Sequence, residues 1–216
     1  MPPPRKIWLR SLLWSGVVLS LAFIMVLLPV FWKRMKAEHI LDRIRAEQWS
    51  SMSFEKVSEI SEKYGGHPGA FGRRGVPCNA DSCRFDIVVS NFPMDYLHLA
   101  PRTEFSVSIA VDNNHVTEVR PGLLSATFVG APPELTPLGA VVSENFVTAP
   151  SVLGFSAVRR SGDTPGGSII LVHLTASATA QQRQAAYDFN LGCMTKLMGC
   201  KHAEDFLPRA AEMATK

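Results

Sequence analysis

The chain has 216 residues, 46% of them hydrophobic, and its 22 Lys and Arg against 19 Asp and Glu leave a formal net charge of +3. Much of that small excess flanks one N-terminal apolar run, so the rest carries no basic patch interleaved with aromatics and is not expected to bind nucleic acid. The six histidines include no H-E-x-x-H, no serine lies in a complete nucleophile elbow, and no cysteine pair reads C-x-x-C.

Residues 1–10 form a short basic tail. Residues 11–32, SLLWSGVVLSLAFIMVLLPVFW, carry no charge, and at 1.5 Å per residue they make about 33 Å of helix, enough for a hydrocarbon core of about 30 Å. Arg5, Lys6 and Arg10 bound this run on one side and Lys33, Arg34 and Lys36 on the other, with Trp8 and Trp32 where amphipathic rings favour the headgroup layer. Pro29 is tolerated near the end of a membrane helix. A cleaved signal peptide would have a shorter apolar region and a small-x-small site, whereas bulky VLLPVFW runs straight into KRMK. The expectation is an uncleaved transmembrane anchor in contact with the lipid bilayer; a core helix would not run this long without a polar face. The count of flanking bases leans towards a cytoplasmic C-terminal domain, but the rule weakens for long translocated domains, and the short basic tail suits a signal anchor.

Residues 33–50 read as a juxtamembrane helical stalk in which Ile40, Leu41 and Ile44 share a face. The alternative, a basic segment recruiting anionic lipid, is blunted by interleaved acids. Residues 51–216 suit one domain. In SSMSFEKVSEISEKYGG, Ser53 is a candidate N-cap, Phe54, Val57, Ile60 and Tyr64 form an apolar stripe, and Gly65 and Gly66 stop the helix. HPGAFGRRGVP reads as a loop; its Arg73 and Arg74 lack the P-loop spacing of a phosphate cradle.

The period then becomes two. Cys83, Phe85, Ile87 and Val89 alternate with Arg84, Asp86 and Ser90, and Phe105, Val107, Ile109 and Val111 alternate with polar or small residues before Asp112, Asn113 and Asn114 turn the chain into a strand over 116–119. Further strands are expected over 141–148 and 155–160 and at SIILVHLTA, whose two apolar faces suit a central strand; APPELTP and SGDTPGG are read as turns between them. Thr179 and Gln182 have capping-box spacing, and Ala185, Ala186 and Phe189 can pack inward. Helices at both ends of a run of strands indicate an α+β domain with an antiparallel sheet or sandwich.

Cys78, Cys83, Cys193 and Cys200 make two local pairs. Pairing within each is the simplest of three connectivities, and each closure contributes about 2 to 2.5 kcal/mol. The wide gap of the second pair suits zinc poorly; unpaired buried thiols are the other alternative. Disulfides imply an oxidising compartment, and so an extracytoplasmic domain.

No nucleophile, base and oxyanion set can be named. Ser156 in GFSAV lacks the elbow's second glycine. His173 is expected as a satisfied core side chain and His98, near Asp95 and Arg102, as a surface residue; an acid–base role is the alternative for each. No cofactor or metal is expected, nor a catalytic motif. The sequence therefore points to a membrane-anchored binding or assembly module with an envelope protein partner. The alternatives are a tethered hydrolase with a site assembled from distant residues, and a cytoplasmic domain with reduced thiols.

Overall fold

The computed structural model describes residues 5–69, 78–129, 134–147, 154–161 and 167–214. Its first element, α1 (Arg5–Ala46), is one helix containing Pro29, and it is long and apolar enough to cross a membrane. Such a helix is compatible with an anchor or with a signal sequence. Its character changes along its length. Trp14, Leu21, Phe23, Met25, Leu28, Phe31 and Trp32 are exposed, whereas Ala37, Ile40, Leu41 and Ile44 are buried. Their i, i+3, i+4, i+7 spacing puts them on one face, and that face enters the core of the domain.

That core lies against one side of a seven-stranded sheet ordered β1-β2-β3-β4-β5-β7-β6. The strands are β1 (His67–Pro68), β2 (Ser82–Ser90), β3 (Arg102–Asp112), β4 (His115–Val129), β5 (Glu134–Asn145), β6 (Phe155–Ser161) and β7 (Ser168–Leu174). Cys83, Phe85, Ile87 and Val89 of β2, Phe105, Val107, Ile109 and Val111 of β3, and Ile170, Val172 and Leu174 of β7 all point into the core, as their period-2 alternation requires. Over them pack the end of α1, α2 (Phe54–Lys63), α4 (Ala180–Ala186) and α5 (Pro208–Ala214). A fifth helix, α3 (Phe92–Tyr96), leaves the end of β2 and packs on α1.

The β3–β4 hairpin turns at Asn113 and Asn114, with φ of 50° and 62°, the paired positive values of a type I′ turn that Asn tolerates. Just beyond it the register shifts: Val111 faces Val116 but Ala110 faces Glu118. Thr117 is therefore the extra residue of a bulge, which lets Val116 and Val119 both face inward although three positions apart.

The domain is α+β, and its sheet is mixed, not purely antiparallel or a sandwich. β5 and β7 run parallel; every other pair is antiparallel. The chain passes from β5 to the outer position, forms β6, and returns as β7 between them. The side chains explain the order: β7 alternates buried residues with half-buried ones and the exposed His173, while β6 ends in exposed Val158, Arg159, Arg160 and Ser161 and tolerates an edge.

Two expectations fail along β4 and β5. The strand expected over 116–119 continues to Val129, and APPELTP is not wholly a turn, because β5 begins at Glu134. Pro121 is accommodated where the β4–β5 ladder skips from Val119↔Glu144 to Gly122↔Val141, so its missing N–H is not required. Gly139 permits the close approach of β5 to β4: its φ is 155°, and a Cβ there would overlap the Leu123 carbonyl.

Candidate functional site

Among the described residues, the charged side chain set in the core comes from β5. Ala140, Val142 and Glu144 follow the inward period, so Glu144 occupies a position where an apolar side chain is the norm, and it is 4% exposed. α4 and the residue that caps its C-terminus supply its partners one turn apart. Arg183 Nη1 donates to Oε1 and the Tyr187 hydroxyl donates to Oε2 at 2.5 Å. The helix is placed by its capping box: Gln182 N–H donates to Thr179 Oγ1 at 3.2 Å and Thr179 N–H to Gln182 Oε1 at 2.9 Å. Arg183 Nη2 also donates to the Thr175 carbonyl at 3.3 Å, and Arg45 of α1 donates to the Tyr187 carbonyl at 2.5 Å. The cluster thus joins the end of α1, the ends of the two parallel strands, and α4.

Beside it lies a cleft of about 340 Å³ lined by Glu47 to Ser50, Glu144, Phe146, Ala176 and Arg183. The chemistry available there is limited, because each Glu144 oxygen already accepts a charge-assisted or hydroxyl hydrogen bond. Burial pushes the Tyr187 phenol well above its ordinary value, against the downward pull of the Arg183 charge. Tyr187 is a protonated donor throughout the physiological range, and the arrangement is that of a satisfied buried network.

A second polar group crosses the opposite, open face of the sheet. Glu118 of β4 accepts from Ser143 Oγ and from Arg120 Nη2 at 2.7 Å, with Arg84 Nη2 at 3.9 Å. Burial works to raise the Glu118 carboxyl, but the bonds from Ser143 and Arg120 and the charges of Arg120 and Arg84 outweigh it and hold it below its usual value. Continuing across the strands, His173 lies opposite Ser143 on one side and Ser156 on the other. Carboxylate, hydroxyl and imidazole therefore share one row. Among the described residues, however, no hydrogen bond joins His173 to either serine and no carboxylate orients its ring, while the Ser143 hydroxyl donates to Glu118 instead.

The residues singled out from the sequence fall as follows. Cys78 and Cys83 have α-carbons 4.6 Å apart, Cys193 and Cys200 5.3 Å, and both pairs are within bonding distance. His173 is exposed and is no core side chain, because the apolar run SIILVHL still alternates and places His173 on the open face. His98 is exposed with φ of 55°; Arg102 pairs with Glu104. Ser156 is half-buried in edge strand β6. Arg73 and Arg74 lie outside the described residues. Among the described residues no group of three His, Cys, Asp or Glu side chains could hold a metal. The sequence does not reveal the Glu144 cluster; its signal there is a charge in the inward row that Ala140 and Val142 begin.

No known protein family, no curated protein and no solved structure matches the chain.

Proposed function

We propose that this chain is a single-pass membrane protein whose anchor, residues 11–32, displays a disulfide-stapled α+β domain on the extracytoplasmic side as a binding or assembly module of the cell envelope. The observation that carries the reading is α1 itself. Among the described residues, its N-terminal part exposes large apolar side chains from Trp14 to Trp32, and the same helix then becomes part of the domain core. A segment meant only for export would have no reason to share an unbroken helix with the fold it delivers. The two short-range cysteine pairs support an oxidising compartment. The satisfied state of Glu144 and the unassisted His173 support binding over catalysis.

The test has two arms. Protease added to intact cells should digest the domain; protection there, with digestion only after the cells are opened, would overturn the placement. Isolation in mild detergent after cross-linking in the membrane should yield a defined envelope protein in constant ratio, and recovery of the chain alone would overturn the assembly role.

A further inference from the structure

We propose that the end of the domain nearest the apolar run of α1 is itself seated in the membrane interface. The loop holding α3 and the loop closed by Cys193 and Cys200 form a collar that dips into the lipid around the anchor. This rests on the anchor reading above. Outside α1, the exposed large apolar side chains among the described residues are Val88, Val147 and Val158, which are scattered, and Phe92, Tyr96, Leu97, Leu197 and Met198, which are not. The last five occupy the two loops, and the loops are tied together: Met198 N–H donates to the Leu99 carbonyl at 3.0 Å, and Gly199 lies against Pro101.

Both loops are also pinned to α1 at the level where its apolar surface ends. Val30, 1% exposed, is covered by Met94 and Ala100 of the α3 loop, and Arg34 Nη1 reaches Thr195 Oγ1 at 3.4 Å. Val30 lies about 10 Å along the helix axis from Ala37, where the domain core begins. A bilayer that covers residues 11–32 therefore extends to the height of these loops, and Phe31 and Trp32, 50% and 68% exposed, flank the same level. Aromatic Phe92 and Tyr96, with rings 5.9 Å apart, and Leu197 and Met198 then meet the headgroup–acyl boundary, which such side chains favour. Lys33 and Lys196 are exposed and stand where ammonium groups reach phosphate. Met198 holds a φ of 64°, and at 74% exposure its side chain projects outward from a loop closed by a disulfide.

The experiment uses the full chain, oxidised, in phosphatidylcholine vesicles, with an environment-sensitive fluorophore on Tyr96→Cys, Val17→Cys or Val158→Cys and nitroxide-bearing lipid as quencher. The labels at 17 and 96 should lose fluorescence, the latter most with a nitroxide near the ester level, while the label at 158 keeps its signal. Adding Leu197→Asp and Met198→Asp, both exposed and so compatible with folding, should reduce the loss at 96. Quenching at 17 but none at 96 overturns the collar and leaves the anchor standing. No quenching at 17 overturns both. A blue-shifted label at 96 that lipid nitroxide does not reach shows a protein covering the patch, and also overturns the proposal.

Discussion

Glu144 shows what a single inward charge does to its surroundings. A carboxylate 4% exposed is tolerated only because a guanidinium and a phenol meet its two oxygens, and removing either donor strands charge in the core. Replacing Tyr187 by Phe deletes one hydrogen bond to a charged group and should cost about 1.5–3 kcal/mol near neutral pH. The pH dependence has a definite sign. The native phenol is raised above its ordinary value by burial, so its contribution is fully present below the unfolded value of about 10 and is lost as pH rises towards the native one. Above pH 10 the unfolded chain loses a proton that the native chain keeps, and the stability difference between wild type and Tyr187→Phe should shrink by about 1.4 kcal/mol per pH unit. Denaturant unfolding of both proteins in detergent between pH 7 and 11 measures it; a constant difference would mean that the phenol is not buried as described. None of this was legible beforehand, because Glu144 and its partners are 39 and 43 residues apart and a lone charge in a strand names no partner. The capping box at Thr179 and Gln182 was legible, being encoded within four residues.

Among the elements, those defined by short-range pattern are legible in the sequence and those defined by neighbours are not. Strands β2 and β3 alternate strictly, and the Asn113–Asn114 turn has its own signature. The run of β4 past Pro121 could not be seen, because a proline in a strand depends on what the adjoining ladder needs at that point. Nor could the parallel pairing of β5 with β7, which is settled by competition between β6 and β7 for the inner place. The two cysteine pairs also look alike in sequence but stand in different surroundings. Cys193 and Cys200 are buried at 0% and 5% exposure, whereas Cys78 is exposed. Thiolate attack requires access, so graded reduction of the folded protein followed by alkylation and mass spectrometry should find Cys78 and Cys83 modified first. Opening the second pair should then lower stability by about 2.5 kcal/mol, the value expected for so short a loop. Simultaneous reduction of both pairs would contradict the burial difference.

At the scale of the whole molecule, α1 is exposed and apolar over one part of its length and buried in the domain core over another. Its sequence gives the apolar run plainly, and it gives the stripe of Ile40, Leu41 and Ile44, but not what that stripe meets, since an amphipathic helix reads the same on a lipid surface, on a partner or on its own sheet. The structure places the stripe in the core. Burying three such side chains is worth about 1.5–3 kcal/mol each, a sum comparable with the 5–15 kcal/mol net stability of an ordinary domain. Two shortened chains separate an integral helix from an appended one. A chain beginning at residue 33 keeps Ala37, Ile40, Leu41 and Ile44 and, among the buried side chains described, loses the packing of Val30 on Met94 and Ala100. It should unfold cooperatively in denaturant, about 1.5–3 kcal/mol less stable than the full chain. A chain beginning at residue 47 uncovers the sheet beneath α1 and the ring of Trp49, whose indole N–H donates to the Ile44 carbonyl at 2.9 Å. It should show no cooperative transition and no fixed near-ultraviolet signal from Trp49. Equal stability of the two would mean that the helix only tethers the domain, whereas the expected contrast would mean that the segment emerging from the apolar run completes the fold and holds it at a fixed attitude to that run.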